Sequence, residues 1–301
     1  MEKYSQNQRE RLNYLEFRIF FTGQVNRSDL IQRFGISEAA ATRDLAIYKE
    51  EAPGNIELDN TTKIYRITDA FELHCVKDVE PKSILRALVH GIGDDFGVPS
   101  ASLIPCELPT RLHAPDINTL AVVSRAIYGQ QVLKVKYLSA SGGSQLGTRE
   151  IVPFSLAGNG LRWHVRAFDR RKNRFGDFII NRIKSAQILK GEKPKPEECK
   201  DKDDEWNRMV NLEIVAHPDY DQKAMIEAEY GMEGGVLRHK ARAAMVGYIL
   251  RLWNVDCSPN HSLGRNNCHL WLRNLAALYG IDNAQIAPGF TPAPVSEPHR
   301  G

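Results

Sequence analysis

The spacing of apolar residues changes once along this 301-residue chain, close to Val132. Before that point apolar residues recur at helical spacing, as Ile117, Leu120 and Ile127 do on one side of a predicted helix. Asp116 is the predicted N-cap of that helix. After Val132 apolar residues alternate with polar ones, which is typical of half-buried strands. Because a single uniform fold cannot hold both patterns, the sequence predicts an α+β protein with several domains.

The first 70 residues are divided into short segments by glycine, proline and serine signals. The predicted elements are helices over 8–21, 29–34 and 37–50 and strands over 55–58 and 63–68. Ser28 and Ser37 are the predicted N-caps of the second and third helices, and Pro53-Gly54 ends the third. Three helices followed by a two-stranded wing are the order of a winged helix-turn-helix, so we predict a DNA-binding domain over 1–70.

The third helix and the wing carry the residues expected to contact DNA. Arg43 offers two donors to a guanine or a phosphate, small side chains permit a close approach to a groove, and Ser37 with the first-turn amides can hold a phosphate. The predicted DNA-binding residues are Ser37, Glu38, Ala39, Thr42, Arg43, Asn60, Thr61, Thr62 and Lys63. We expect Asp44 to pair with a neighbouring arginine. A helical domain for protein contacts stays an alternative, because basic and acidic groups nearly balance here.

Positive charge is concentrated in one part of the chain. The formal net charge is only +3, whereas 125–190 holds 13 basic and 3 acidic residues. This part includes RWHVRAFDRRKNRFGDFIINRI (162–183). Alternation along a strand would direct Trp163, Val165 and Ala167 into the core and the residues between them to the opposite face. Such a basic face indicates an anionic partner, because arginine forks bind phosphate groups and aromatic or histidine rings stack on bases.

Turn and linker signals divide the rest of the chain. The predicted strands of the alternating segment cover 133–139, 149–153, 162–168, 177–182 and 186–189, in a small antiparallel sheet or barrel. A helical connector over 71–120 precedes this sheet and contains a predicted helix over 81–91. The polar stretch 191–204 predicts an exposed linker, and a further α/β domain is expected over 205–287. The prolines in 288–301 predict a disordered tail.

The middle segment resembles the WYL-domain transcriptional regulators. The resemblance is carried by TREIVPFSLAGNGLRWHVRAFD and FGDFIINRI. Trp163, His164 and Val165 stand where the family has Trp-Tyr-Leu, so two of the three positions differ. The sequence is most similar to the subgroup that represses BREX and CBASS phage-defence islands, in which Arg-Trp-His-Val-Arg-Ala is usual. The resemblance covers 8–285 and implies a winged helix, a central Sm- or SH3-like β-barrel over 121–190 and a C-terminal α/β dimerisation domain.

What the resemblance implies for function is a repressor, acting as a homodimer on double-stranded operator DNA, whose WYL domain senses a nucleotide or oligonucleotide effector. The residues implied for the ligand face are Tyr137, Ser139, Arg149, Trp163, His164, Arg166, Asn181 and Arg182. The run DRRKNR (169–174) is expected to be a solvated hairpin tip. Two alternatives stay open: a WYL activator that responds to DNA damage, and a module that binds single-stranded nucleic acid through the barrel alone.

Other classes of protein find little support in the sequence. Five cysteines without framework spacing indicate reduced thiols and a cytoplasmic protein. For a DNA-binding regulator we expect association with the nucleoid. No apolar run approaches the roughly 20 residues that span a bilayer. Cys257, His261, Cys268 and His269 lie close together, but their spacing fits no usual zinc knuckle. We expect no enzyme, metal or cofactor, because the basic segment has neither a close carboxylate pair nor a Ser/His/Asp set.

Overall fold

The computed structural model describes residues 3–74, 81–90, 114–139 and 146–292. The chain divides into two compact units, Met1–Pro109 and Thr110–Gly301. Within the described residues no helix is both long and apolar enough to cross a membrane. Most of the predicted connector and most of the predicted tail lie outside the described residues.

Helices and short strands follow one another in the first unit in the predicted order. The elements are α1 (Gln6–Thr22), β1 (Gln24–Val25), α2 (Arg27–Phe34), α3 (Glu38–Glu51), β2 (Ile56–Asp59), β3 (Ile64–Ile67) and α4 (Pro81–His90). The three strands pair antiparallel in the order β1-β3-β2. The helices bury one core, in which Leu15, Leu30 and Leu45 are fully inaccessible or nearly so. Strand β1 was not predicted, because two residues are too few to show alternation.

Local hydrogen bonds fix the ends of these helices. Ser5 and Ser37 accept the N–H groups of the third helical residues of α1 and α3, and Gly23 ends α1 at a φ of 73°. The prediction that Ser28 caps α2 is wrong, because α2 begins two residues earlier. Asn26 accepts the backbone N–H of Asp29, whose carboxylate accepts the N–H of Asn26 in return, a capping box.

A helix and a five-stranded antiparallel sheet form the first part of the second unit. The elements are α5 (Ile117–Tyr128), β4 (Leu133–Leu138), β5 (Leu146–Gly158), β6 (Trp163–Asp169), β7 (Arg174–Ile179), a 3-10 turn (Ile180–Arg182) and β8 (Ile183–Ile188). The strand order is β7-β6-β5-β4-β8. The core between α5 and the sheet includes Val123, Val135 and Ile151. The sheet is open in its pairing, because β7 and β8 form its edges within the described strands, and the predicted barrel is not confirmed.

Burial along β6 differs from the prediction on both faces. Val165 and Ala167 are in the core as expected, but Trp163, at the start of the strand, is 38% exposed. His164 and Arg166, on the opposite face, are only 3% and 5% exposed. They are buried because residues from the C-terminal part of the chain pack over this face. The prediction of an open basic face is therefore wrong for these two side chains.

The segment 191–204 is not an exposed linker along its whole length. It contains two 3-10 turns, Pro196–Glu198 and Lys200–Lys202, and two of its carboxylates, Glu198 and Asp203, are almost fully buried. Glu198 accepts two hydrogen bonds from Arg170, at 2.8 and 2.9 Å. Each of these buried carboxylates binds an arginine: Asp203 binds Arg166 in β6, and Glu198 binds Arg170 in the turn after β6. A charge-rich composition does not reveal such pairing.

The C-terminal part of the second unit is a mixed α/β fold. Its elements are α6 (Asp204–Asn207), β9 (Met209–Ala216), α7 (Lys223–Glu229), β10 (Leu237–Arg242), α8 (Ala243–Leu252), β11 (Val255–Asp256) and β12 (Leu270–Leu272). The sheet has the order β10-β9-β12-β11, and only β11 and β12 are parallel. Its core includes Leu212, Ile214 and Leu250. The carbonyl of Pro288 accepts the N–H of Cys257, and Phe290 packs on the core, so the chain is ordered past the predicted start of the tail.

Candidate functional site

Helix α3 presents one exposed face and one buried face. Leu45 and Tyr48 are buried in the core of the first unit, whereas the five residues of α3 and its cap that were predicted to contact DNA are all exposed. These residues are Ser37, Glu38, Ala39, Thr42 and Arg43. The Arg43 guanidinium has no ion-pair partner among the described residues. The exposed face therefore offers a free arginine and small side chains beside an open helix N-terminus, as DNA reading requires.

Polar contacts hold this helix in place. Asp44 is buried and binds Arg11, with Nε 2.5 Å from Oδ2, and also accepts from Gln8 at 3.3 Å. The expectation that Asp44 pairs with an arginine is therefore confirmed. Glu38 pairs with Arg27 of α2 at 2.8 Å. These contacts tie α3 to α1 and α2 and so determine how its exposed face is oriented within the unit.

The tip of the wing consists of the four predicted residues Asn60, Thr61, Thr62 and Lys63, and all four are exposed. The Asp59 carboxylate organises this turn by accepting the backbone N–H groups of Thr61 and Thr62, at 2.9 and 3.3 Å, and the Thr62 hydroxyl at 2.7 Å. The hydrogen bonds from Thr62 and the nearby amides lower the pKa of Asp59. Lys63 adopts a φ of 60°. Sequence analysis did not identify Asp59, although an aspartate two residues before a turn amide is a typical Asx turn.

Three of the eight predicted ligand residues meet in a cavity of about 120 Å³, here called the basic pocket. Its lining residues are Tyr137, Ser139, Arg149, Asp169, Lys172, Arg174, Phe175, Gly176, Asp177 and Phe178. Arg149 is 8% exposed, and its nearest carboxylate, Asp169, lies 3.8 Å from Nε. The side chains of Lys172 and Arg174 have no polar partner among the described residues. The pocket therefore brings together three cationic groups and two carboxylates, and Lys172 and Arg174, its two cationic side chains without a partner in the described part of the chain, can bind an anion.

The run 169–174 is not merely a solvated hairpin tip, as was predicted. Asp169 is buried and accepts the N–H groups of Arg171 and Lys172, at 2.9 and 3.3 Å, which shapes the turn. Arg170 donates to Glu198, and its hydrogen bonds to that carboxylate raise the pKa of Arg170 against the effect of burial. The turn therefore directs Lys172 and Arg174 to the basic pocket.

A second cavity, of about 290 Å³, lies at the start of β6. It is lined by Ala114, Pro115, Gly158, Gly160, Leu161, Arg162 and Trp163. The Trp163 ring lies against Gly158, where an added Cβ would be only 3.2 Å from the ring. Asn181 donates to the carbonyl of Ala114 at 3.2 Å, and its Oδ1 is buried without a hydrogen-bond partner among the described residues. Trp163 thus lines this cavity, Asn181 is bonded to Ala114 in its wall, and neither lines the basic pocket. Arg182 is half-buried on the 3-10 turn.

Arg166 is bound on all sides by carboxylates in this conformation. Asp203 accepts two parallel hydrogen bonds from it, at 2.7 Å from Nε and 3.0 Å from Nη2. Asp177 lies 3.3 Å from Nη1 and Glu205 lies 3.7 Å from Nη2. Burial opposes the charge, but the bonds to Asp203 and the charge of Asp177 outweigh it and raise the pKa of Arg166. The guanidinium is fully engaged by these carboxylates, so a ligand phosphate would have to displace one of them, and the ligand role of Arg166 stays a prediction.

Tyr248 of α8 connects this network to the C-terminal sheet. Its hydroxyl donates to Asp177 Oδ2 at 2.9 Å, and its ring stacks on His164 with 5.0 Å between ring centroids. Burial and the Asp177 charge raise the pKa of Tyr248, and burial lowers the pKa of His164. The Tyr248 ring covers one face of the His164 ring, so a base would have to displace Tyr248 to stack there, and this role of His164 stays a prediction.

Comparisons with known proteins agree with the order of these parts. Three family models match: the BrxR transcriptional regulator winged helix-turn-helix domain over 7–88, the WYL domain over 118–188, and the BrxR C-terminal dimerization domain over 209–278. The DNA-binding transcriptional repressor CapW of Escherichia coli is 30% identical over 284 residues, which cover 91% of each chain. The chain belongs to the CapW family. Its homologues of the same name from Pseudomonas aeruginosa and Stenotrophomonas maltophilia are 32% and 30% identical and cover 83% of this chain.

Membership of the CapW family confirms the resemblance that the middle motif suggested. The matched WYL segment contains the basic pocket and β6, and the matched dimerisation segment contains Tyr248. Asp203 and Glu205 lie between these two matched segments. Sequence analysis missed Asp203, Glu205 and Tyr248 because they act on Arg166 and His164 from more than 35 residues away in the chain, a separation at which no local pattern connects them.

Proposed function

We propose that this protein is a homodimeric, DNA-binding transcriptional repressor of a phage-defence operon, and that an anionic effector in the basic pocket releases it from its operator. The observation that carries the proposal is the exposed face of α3 in a chain whose CapW relatives, matched over most of their length, are named DNA-binding transcriptional repressors. A single α3 covers too few base pairs for genomic specificity, so two copies would read a palindromic or near-palindromic site.

The proposed DNA contacts are divided between helix and wing. Arg43 would read a base or bind a phosphate in the major groove, with Ala39 and Thr42 against the groove floor. The α3 N-terminus at Ser37 and the wing residue Lys63 would bind backbone phosphates, which fix register without reading sequence. The exposure of all of these residues supports this division.

The effector would bind through Arg149, Lys172 and Arg174, with Tyr137 and Ser139 beside them. Three cationic groups around a cavity of about 120 Å³ suit one or two phosphate groups of a nucleotide or oligonucleotide. The second cavity offers the half-exposed Trp163 ring to a base, since aromatic rings bind bases by stacking. This set replaces His164 and Arg166 of the sequence-based prediction.

Asp177 connects the basic pocket to the dimerisation segment. It lines the pocket, pairs with Arg166 and accepts the hydrogen bond of Tyr248. An anion in the pocket repels the Asp177 carboxylate and so weakens its bond to Tyr248, which would change the dimer until the two winged helices no longer match their half-sites. Tyr248→Phe keeps the ring on His164 but removes this bond. We expect unchanged oligonucleotide binding and at least tenfold altered operator release, and normal release would exclude this route.

We also infer that the WYL sheet curves as the walls of a small barrel do. The register shifts between Lys136 and Tyr137 in β4 and between Pro153 and Ser155 in β5 support curvature, because such bulges bend a strand and increase its twist. The 13-residue strand β5 pairs with β4 in its first part and with β6 in its second part, as a strand at a barrel corner does.

The proposed function is tested by footprinting the full-length protein on the promoter DNA of its own gene. We expect a protected double-stranded site with two-fold symmetry, weakened in Arg43→Ala and retained in Arg9→Ala, which removes an exposed arginine from α1. An activator would protect DNA but raise transcription from the same promoter in vitro. Binding to single-stranded oligonucleotides without any duplex footprint would refute the repressor and support a module that uses the WYL domain alone.

A further inference from the structure

Two histidines and an aspartate meet on the C-terminal sheet, away from the WYL domain. His217 and Asp219 follow β9, and His261 comes from the loop between β11 and β12. Asp219 Oδ2 lies 3.6 Å from His217 Nδ1, and Asp219 Oδ1 lies 3.1 Å from His261 Nδ1. One ligand atom from each residue lies within 4.8 Å of the other two. The three donors thus surround one point in space.

His217 is held in the orientation and the tautomer that a metal ligand needs. Its ring is fully buried, and Nε2 lies 3.3 Å from Oδ2 of the buried Asp256. The Asp256 carboxylate is fixed by the backbone N–H groups of Ser258 and Leu263, at 2.7 and 3.0 Å. These partners assign the proton to Nε2 and leave the Nδ1 lone pair directed to Asp219. A carboxylate behind a histidine is the usual support for a metal-bound imidazole.

The geometry points to a zinc site, and we propose that His217, Asp219 and His261 bind Zn²⁺ with water in the fourth position. Bonds of about 2.0–2.1 Å to nitrogen and oxygen in a tetrahedron place the ligand atoms roughly 3.3–3.4 Å apart. The observed 3.1 and 3.6 Å run from the two different oxygens of Asp219 and are close to that value, and one ligand atom of each residue lies within 4.8 Å of the other two. Asp219 and His261 are 41% and 42% exposed, so an ion can enter from solvent.

A cluster held together only by hydrogen bonds would leave His217 Nδ1 poorly satisfied. The N–H of Asp219 donates to His217 Nδ1 at 3.3 Å, longer than usual, so a buried imidazole nitrogen is left with a weak partner that Zn²⁺ would replace. His261 is held at a φ of 46°, with its ring edge-on to both His217 and Trp271. This conformation keeps its Nδ1 beside Asp219 when no ion is bound.

The nearby cysteines are not part of this site. Burial raises the pKa of Cys257 and of Cys268, so both thiols stay protonated at neutral pH. Cys257 donates to the carbonyl of Val255, and Cys268 lies 3.8 Å from Asn254 Oδ1. His269 packs edge-on to Tyr220. The short spacing of Cys257, Cys268 and His269 in the sequence therefore gives the wrong ligand set, and only His261 is shared with the proposed site.

Zn²⁺ at this point joins the end of β9 to the loop between β11 and β12, inside the segment that matches the dimerisation domain. An ion that binds only the folded state stabilises it by mass action. At about 100 times the dissociation constant this raises the melting temperature by roughly 5–10 °C. The zinc site is separate from the basic pocket. If the protein did not bind Zn²⁺, the proposed function would therefore be unaffected.

The test uses full-length protein stripped with a chelator and titrated with Zn²⁺ by calorimetry, and with Co²⁺ by visible absorption. We expect one ion per chain and the intense absorption of four-coordinate Co²⁺. His261→Ala and Asp219→Ala should weaken Zn²⁺ at least tenfold and abolish the thermal shift. His269→Ala is the matched control, because it removes an exposed histidine of the same loop outside the cluster. His269→Ala should bind Zn²⁺ as tightly as the parent does.

Melting of the stripped variants separates lost binding from lost folding, because both changed side chains are partly exposed and the ion-free proteins should melt near the parent. No zinc binding by the parent would overturn the proposal. So would binding that survives in both His261→Ala and Asp219→Ala, or that is lost equally in His269→Ala.

Discussion

The ion pair between Arg166 and Asp203 offers the sharpest test of how the second unit is held together. Both side chains are at least 95% buried, and Asp203 accepts two hydrogen bonds from the guanidinium. The same carboxylate accepts the N–H of Trp206 at 3.1 Å and so caps α6. Asp203→Ala therefore removes a buried counter-charge and a helix cap in one change.

The expected loss follows from these two roles. Removing one partner of a buried ion pair costs about 3–5 kcal/mol, and removing an N-cap costs about 0.5–2 kcal/mol. Asp177, 3.3 Å from Arg166, still compensates part of the Arg166 charge in this variant. We therefore expect the free energy of unfolding to fall by about 3 kcal/mol. With a denaturant slope of roughly 2–3 kcal/mol per molar urea, the midpoint falls by about 1–1.5 M.

Tryptophan fluorescence during urea unfolding measures the stability of the second unit, to which the ion pair belongs. All four tryptophans, Trp163, Trp206, Trp253 and Trp271, belong to the second unit. Asp201→Ala is the matched control, since this exposed aspartate of the same segment should change stability by less than about 0.5 kcal/mol. Equal midpoints for the two variants would refute the reasoning.

A second comparison isolates the buried charge from the lost cap. Asp203→Asn removes the charge that faces Arg166 but keeps a side-chain oxygen that can accept the N–H of Trp206 and cap α6. We expect Asp203→Asn to lose most of the stability that Asp203→Ala loses, because in both variants Arg166 lacks its main counter-charge. If Asp203→Asn unfolds at the midpoint of the parent, the loss in Asp203→Ala comes from the cap of α6 and not from the ion pair.

Three further predictions concern operator, effector and pH. Arg43→Ala should lose about 1–3 kcal/mol of operator affinity in gel shifts at fixed salt, whereas Arg9→Ala should match the parent. Lys172→Ala should weaken a labelled single-stranded oligonucleotide about tenfold without changing operator affinity, and an unchanged oligonucleotide affinity would exclude the basic pocket. Because burial lowers the pKa of His164 below its ordinary 6.5, the unfolded chain takes up the proton first, so stability falls as pH decreases below about 6.5. In His164→Gln the melting temperature should fall less as the pH decreases. A pH dependence identical to that of the parent would show that His164 is not the source of the acid sensitivity.

Signals that act within a few residues predicted the first unit well. Ser37, Gly23 and Gly35 determine helix ends through contacts with residues three or four positions away, and these are visible in the sequence. Asp116 caps α5 by accepting the N–H of Thr119 at 2.8 Å, as predicted. The misassigned cap of α2 shows the limit of such signals, because Asn26 and Ser28 are both good caps and only the capping box with Asp29 decides between them.

Alternation along a strand identifies two faces but does not say whether both are covered. It correctly separated Val165 and Ala167 from His164 and Arg166. It could not show that the second face is covered, because Asp203 and Tyr248 come from separate later segments. Trp163 departs from the alternation because it stands at the first position of β6, where the strand leaves the core.

The excess charge of the middle sheet has two explanations that composition alone cannot separate. Arg166 and Arg170 are neutralised internally by the acidic segment that follows the sheet, through Asp203 and Glu198. Lys172 and Arg174 have no such partner among the described residues and lie with Arg149 at the basic pocket. An effector can change the dimer only if its binding differs between two states of the protein. In the proposed mechanism Asp177 supplies that difference, because this one carboxylate both lines the pocket and accepts the hydrogen bond of Tyr248 in α8.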